Sequence, residues 1–210
     1  TILNNINGNN KLNLVLKDII SQINVTKYNP KTLFDFQSVL DYWYYSKLFG
    51  YKNKYKPNDN IIKSFISDKK IKNISEPYDA VLMYVYIRSL VYCDSKKYKR
   101  FLKHIPLLKK KAKLDNTYYA YYLTHVILYD FNFGQSKTLL DTSTKALKEL
   151  YNFCKDKLIY NSKNVDIMAE ILVCCKLCNS YIFPYYSKLI RNVISQKTYT
   201  DYHENAVVVG

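Results

Sequence analysis

Turn-forming residues are scarce in this sequence. Only four glycines (Gly8, Gly50, Gly134, Gly210) and five prolines occur in 210 residues. A β-sandwich or a doubly wound α/β fold needs many more tight turns, so helices joined by short polar connections fit better. Arginine is nearly absent as well, at Arg88, Arg100 and Arg191. Bidentate guanidinium contacts dominate the reading of bases and phosphates, and their shortage weighs against nucleic acid as a partner. No uncharged apolar stretch reaches the roughly 18–20 residues of a membrane-spanning helix. The longest candidate, Tyr118 to Tyr129, is short and rich in tyrosine. Residues 1–9 lack the basic end and apolar run of a signal peptide. Cysteines number five (Cys93, Cys154, Cys174, Cys175, Cys178), an odd count without framework spacing. A reducing, cytoplasmic setting is therefore expected rather than a disulfide scaffold. Phosphate-binding glycine loops, Gly-x-Ser-x-Gly, His-Glu-x-x-His and acidic calcium loops are all missing. Their absence removes the commoner nucleotide, hydrolase and metalloprotease readings without excluding an enzyme.

What is present points to an all-α protein. Apolar residues make up 48% of the chain and aromatics 16%, too many for a disordered segment. A chain of this length hides roughly 70% of its unfolded surface and needs no disulfide or metal staple. Residues 1–9 are expected to be flexible and residues 10–210 to form one helical domain. Helical spacing of apolar residues predicts eight or nine helices. They cover about 11–23, 33–48, 59–66, 78–93, 95–113 with a break before Pro106, 117–131, 138 or 141–158, 165–178, and one from Pro184. A globular array is expected, with a helix-pair arrangement or an α/α toroid as alternatives. The segments 78–93, 117–131 and 165–178 are apolar nearly all round, which predicts burial on all sides. Leu147, Leu150, Tyr151 and Cys154 are the expected inner stripe of the 138–158 helix.

Charge is spread unevenly. Residues 50–113 carry 17 Lys+Arg against 5 Asp+Glu, a net of +12 out of +15 for the whole chain. The densest part holds Lys96, Lys97, Lys99 and Arg100, a candidate anion-binding face for an acidic protein or a nucleic acid. The plainer reading is a solvated lysine face, since Lys, Asn, Ile and Tyr are all abundant together. His104 lies in the same stretch and is expected to be exposed.

Titratable groups within apolar helices suggest a second site. On a helix, His125 shares its surroundings with Tyr121, Tyr122 and Tyr129, and an imidazole among phenols suits acid/base chemistry or ligation. The alternative is a core histidine bonded to a hydroxyl or carbonyl. Asp166, Glu170 and Cys174 fall at i, i+4 and i+8, and Glu170 is flanked by apolar residues, so it is expected to point inward. Cys175-x-x-Cys178 lacks a partner pair and reads as small apolar packing.

The segment Thr124-His125-Val126-Ile127-Leu128-Tyr129-Asp130-Phe131-Asn132-Phe133-Gly134 resembles an uncharacterised bacterial all-helical family of unknown function. Its pattern is Thr-His-x-x-x-Tyr-x-x-Asp-Phe-Gly, with a Tyr-His and a Thr near the C-terminus. Thr124, His125, Tyr129, Phe133 and Gly134 match the first part, and Tyr202 and His203 the second. Asn132 stands where the pattern has Asp, and Glu204 where it has Thr. The resemblance implies that His125 and His203 belong to one site. With Glu170 they form a candidate catalytic or metal-binding set, lined by Tyr121, Tyr122 and Tyr129 for a small molecule. Neither a cofactor nor an oligomeric state follows from the sequence.

Overall fold

A computed structural model describes residues 30–48, 50, 56–134, 140–155 and 164–179, without the side chains of 154, 155 and 165. The helices expected at 11–23 and from Pro184, the segment 1–9 and His203 lie outside these residues. The described part is all-α, with no strand among the described residues. Seven helices have seven or more residues and two are shorter, close to the eight or nine expected. The chain divides into two compact units, Thr1–Leu114 and Asp115–Gly210, a boundary that the sequence analysis does not draw.

In the first unit, α1 (Leu33–Leu48) opens on a reciprocal cap. The Asp35 amide donates to Thr32 Oγ1 at 3.1 Å, and the Thr32 amide donates to Asp35 Oδ2 at 2.9 Å. Each bond satisfies an amide that a helix start leaves without a partner. Gly50 follows with φ of +71°, a conformation that costs glycine little. Asn58 caps α2 (Asp59–Phe65), accepting from the Ile61 amide at 2.9 Å. Ser67 caps a five-residue helix, α3 (Asp68–Lys72), which the sequence reading does not foresee. The central helix is α4 (Pro77–Cys93), with Pro77 in its first turn, where the missing amide has no partner to lose. It packs against α1 and against α6 (Ile105–Ala112), burying Ala80, Tyr84, Ile87 and Leu90. Burial of Ile87 and of Leu90 contributes about 1.5–3 kcal/mol each. Lys47 reaches the last carbonyls of α4, donating to Tyr92 O at 2.7 Å and Cys93 O at 2.6 Å, where the helix dipole is negative.

The basic stretch is not one helix. It folds as a single α turn, α5 (Ser95–Tyr98), then a 3₁₀ segment, Lys99–His104, and then α6, with Pro106 in the first turn.

In the second unit, α7 (Asn116–Asp130) packs against α8 (Asp141–Lys155) and α9 (Val165–Leu177). Asp115 and Asn164 cap α7 and α9. α7 and α8 are antiparallel: Tyr119 meets Glu149 and Phe153 at one end, and Asp130 meets Thr142 and Ser143 at the other. The Ser143 hydroxyl is fully buried and donates to Asp130 Oδ2 at 2.9 Å. This bond fixes the rotation of α8, so its inner stripe runs through Ser143, Ala146 and Leu150. Tyr151, expected inside, is turned outward and exposed. α9 likewise presents a flank to solvent, because Val173 is exposed, whereas the sequence predicts burial on all sides.

α7 ends in a left-handed turn. Asn132, Phe133 and Gly134 have φ of +45°, +51° and +92°. Phe133 is held there by an edge contact with Tyr129, ring centroids 5.3 Å apart. A Cβ at Gly134 would lie 3.3 Å from Leu177 Cδ2. Gly134→Ala is therefore expected to lower the unfolding free energy by about 1–2 kcal/mol. Urea denaturation checks it; an unchanged midpoint would show that the turn relaxes without cost.

Candidate functional site

The sequence predicts two sites, and each is built within its own unit. The first lies between α7 and α9, which run parallel because contacts advance along both. The Tyr121 hydroxyl donates to Asp166 Oδ2 at 2.8 Å and lies 3.3 Å from Asn164 Oδ1. One turn on, the Thr124 hydroxyl meets Glu170 Oε2. Further along, the Cys174 thiol lies 3.5 Å from Thr124 O. Asp166, Glu170 and Cys174 are thus one stripe of α9 laid along one stripe of α7. Burial pushes the Cys174 thiol well above its ordinary value, and Cys175 up to about 11. Neither is poised as a thiolate nucleophile or ligand.

His125 Nδ1 sits 2.7 Å from Tyr121 O. A carbonyl only accepts, so Nδ1 carries the proton, and in the neutral ring Nε2 is the free acceptor. Glu170 Oε2 is 3.8 Å from the same Nδ1. Thr124 Oγ1 also lies 2.9 Å from Tyr121 O. One hydroxyl proton serves one acceptor at a time. Tyr121 O already accepts from the His125 ring, so the threonine proton is available to Glu170 Oε2. Burial raises the Glu170 pKa above the usual carboxylate range, as does the Asp166 charge, while His125 and the Thr124 hydroxyl oppose the rise.

A carboxyl with a raised native pKa contributes stability that is present below about 4.5, its ordinary value, and lost as pH rises through the native one. Glu170→Gln is expected to gain stability over wild type as pH climbs from 4.5 to 7.5, read as the difference of urea midpoints. A difference that stays constant would show Glu170 to titrate normally.

Of the residues expected to share a pocket, Tyr121, His125 and Glu170 come together. Tyr122 does not join them: it is buried beside Tyr119, ring centroids 6.2 Å apart, toward α8. Tyr129 packs on Phe133 at the far end of the helix. His203 lies outside the described residues. Among these residues no group of three or more His, Cys, Asp or Glu side chains could hold a metal. Thr124, which the sequence names only as part of the Thr-His pattern, joins this site, and its position one turn after Tyr121 marks the same face.

The second site is the basic ridge of residues 95–104. A 3₁₀ helix has three residues per turn, so positions three apart lie on one face. Phe101 and His104 occupy that face, Tyr98 at the end of α5 continues it by one step, and the three (Tyr98, Phe101, His104) are 1%, 4% and 6% exposed. His104, expected at the surface, is buried for this reason, with Nε2 3.1 Å from Asp68 Oδ1. Lys96, Lys97, Lys99, Arg100 and Lys103 are left on the exposed side. Lys97 pairs with Asp59, and Lys103 with Asp68 at 2.8 Å. These bonds hold both carboxylates below their ordinary pKa, with the lysine the largest cause in each case. The Arg100 guanidinium lies over the Phe101 ring, 5.0 Å from its centroid.

Together these features define a helical protein with a polar seam in one unit and an anchored cationic ridge in the other. Comparison of the chain with known protein families, curated proteins and solved structures finds no match. No helix among the described residues is long and apolar enough to cross a membrane.

Proposed function

We propose that the first unit is a helical interaction module that binds an acidic protein segment through its basic ridge, in a reducing compartment such as the cytoplasm. The supporting observation is the period-three anchoring. Three buried side chains fix the backbone that carries Lys96, Lys97, Lys99 and Arg100. A fixed backbone loses less conformational entropy on binding than a loose one does. Lys97 and Lys103 already serve Asp59 and Asp68, so the attraction rests chiefly on Lys96, Lys99 and Arg100. The shortage of arginine removes the commonest bidentate base contacts, which weighs against sequence-specific reading of nucleic acid.

Fluorescence anisotropy with labelled decaglutamate tests the reading. Binding at 0.1 M salt should disappear at 1 M, as the screening length falls from about 10 Å to about 3 Å. No binding at 0.1 M removes the proposal. Equal or tighter binding of an oligothymidylate of matched charge reassigns the ridge to nucleic acid.

One observation favours a second reading, a small-molecule or metal pocket at Tyr121, His125 and Glu170. A carboxyl with a raised pKa stands beside an imidazole of fixed tautomer, each side chain still about a fifth exposed. Elemental analysis, and thermal shifts with divalent cations, test the metal form. A metal-free protein with unshifted melting dismisses it.

A further inference from the structure

A cleft of about 680 Å³ opens in the first unit between the start of α1, the α2–α3 segment and α4. Leu33, Phe65, Ile74, Leu82, Met83 and Tyr86 supply its apolar lining. Its rim carries Lys31, Lys69 and Lys70 against one acid, Asp79. Lys70 is engaged with Ser64 O, and Lys31, Lys69 and Lys70 are all exposed. Next to lining residues in sequence, Phe34 is 77% and Tyr78 51% exposed.

The floor is rigid. Tyr86 donates its hydroxyl to Leu33 O at 2.7 Å, tying α4 to α1. Phe65 stacks on the fully buried Phe36 at 4.6 Å. A preformed apolar cleft of this size lies within the range of ligand sites. Its half-open shape suits an inserted side chain better than an engulfed molecule, and its cationic rim suits carboxylates beside that side chain. Asp68 joins the two regions: its helix α3 supplies Lys69 and Lys70 to the rim, while its carboxylate holds Lys103 and His104 of the ridge.

We infer that this cleft receives the apolar anchor of an acidic peptide, a leucine-like side chain flanked by glutamates or aspartates. The inference rests on the reading of the first unit as an acid-binding module and adds what that reading lacks, a reason for sequence selectivity. Charge alone does not discriminate among acidic chains; a buried anchor does.

The test compares labelled decaglutamate with the same peptide bearing leucine at two positions four residues apart. The leucine peptide should bind at least tenfold tighter despite its two fewer charges. Leu82→Trp, which fills the cleft, and Leu33→Ser, a truncation at a partly exposed position, should each erase that gain. Circular dichroism checks the fold, and Leu33→Ser keeps the test decisive if Leu82→Trp fails to fold. No leucine gain, or a gain that survives Leu33→Ser, overturns the inference while decaglutamate binding upholds the ridge. Failure of both peptides to bind overturns the ridge reading and the inference with it. Tight binding of free laurate without any leucine gain would assign the cleft to a lipid-like carboxylate instead, and this too overturns the peptide inference.

Discussion

Replacing Lys96, Lys99 and Arg100 together by glutamate is expected to weaken binding of an acidic peptide at least a hundredfold at 0.1 M salt. Reversing three charges turns attraction into repulsion on the same ridge. Like-charge juxtaposition at an interface costs several kcal/mol, and about 2.7 kcal/mol already corresponds to two decades. Lys96 and Lys99 are exposed and Arg100 gives up only its contact with the Phe101 ring, so thermal melting should fall only slightly. Lys97 is left in place because its ammonium serves Asp59. Adding Lys97→Glu should weaken binding further and also lower the melting temperature, since it sets a like charge beside that carboxylate. Titrating both variants at 0.1 M and 1 M salt separates the two effects. Wild-type affinity in the triple variant would place the binding surface elsewhere.

Much of the fold is legible in the sequence where the cause is local. Short polar side chains at 58 or 59, at 115 or 116 and at 164 mark helix starts, and Asn58, Asp115 and Asn164 are the ones that accept from an amide three residues on. Pro77 and Gly50 mark a start and a stop through their own backbone preferences. α3 escapes notice because five residues are too few to show a period. The 3₁₀ segment escapes because three basic residues, Lys99, Arg100 and Lys103, obscure the three-residue spacing of Tyr98, Phe101 and His104. Reading that stretch as an α-helix is what sends His104 to the surface. Other features depend on partners far along the chain. The outward turn of Tyr151 follows from the bond between Ser143 and Asp130. The pairing of Thr124 with Glu170, and of Tyr121 with Asp166, requires knowing that α7 and α9 run side by side. Periodicity places Glu170 inward, but it cannot name the group that Glu170 meets. The cleft was invisible for the same reason, since its lining comes from separated elements.

Phe101→Ala should lower the unfolding free energy of the first unit by about 3–5 kcal/mol, the range for removing a buried phenyl ring. The ring is 4% exposed and lies nearly parallel to Tyr98, centroids 6.4 Å apart. Tyr98 in turn meets the edge of Trp43 at 6.4 Å. Trp43, Tyr98 and Phe101 thus form a keel beneath the ridge, and Arg100 loses the aromatic surface under its guanidinium when the ring is removed. Hydrogen exchange should accelerate first at residues 99–104, where i→i+3 hydrogen bonds are strained and rely on side-chain anchoring. Phe101→Leu keeps most of the apolar volume and should cost far less, which guards against a variant that does not fold. The comparison bears on function because neither substitution changes a charge. If the ridge works through the fixed placement of its lysines, Phe101→Leu retains affinity for decaglutamate and Phe101→Ala loses it at temperatures where both remain folded. Equal affinity in the two would show that net charge alone attracts the partner, and that the anchoring by Tyr98, Phe101 and His104 serves only the stability of the unit.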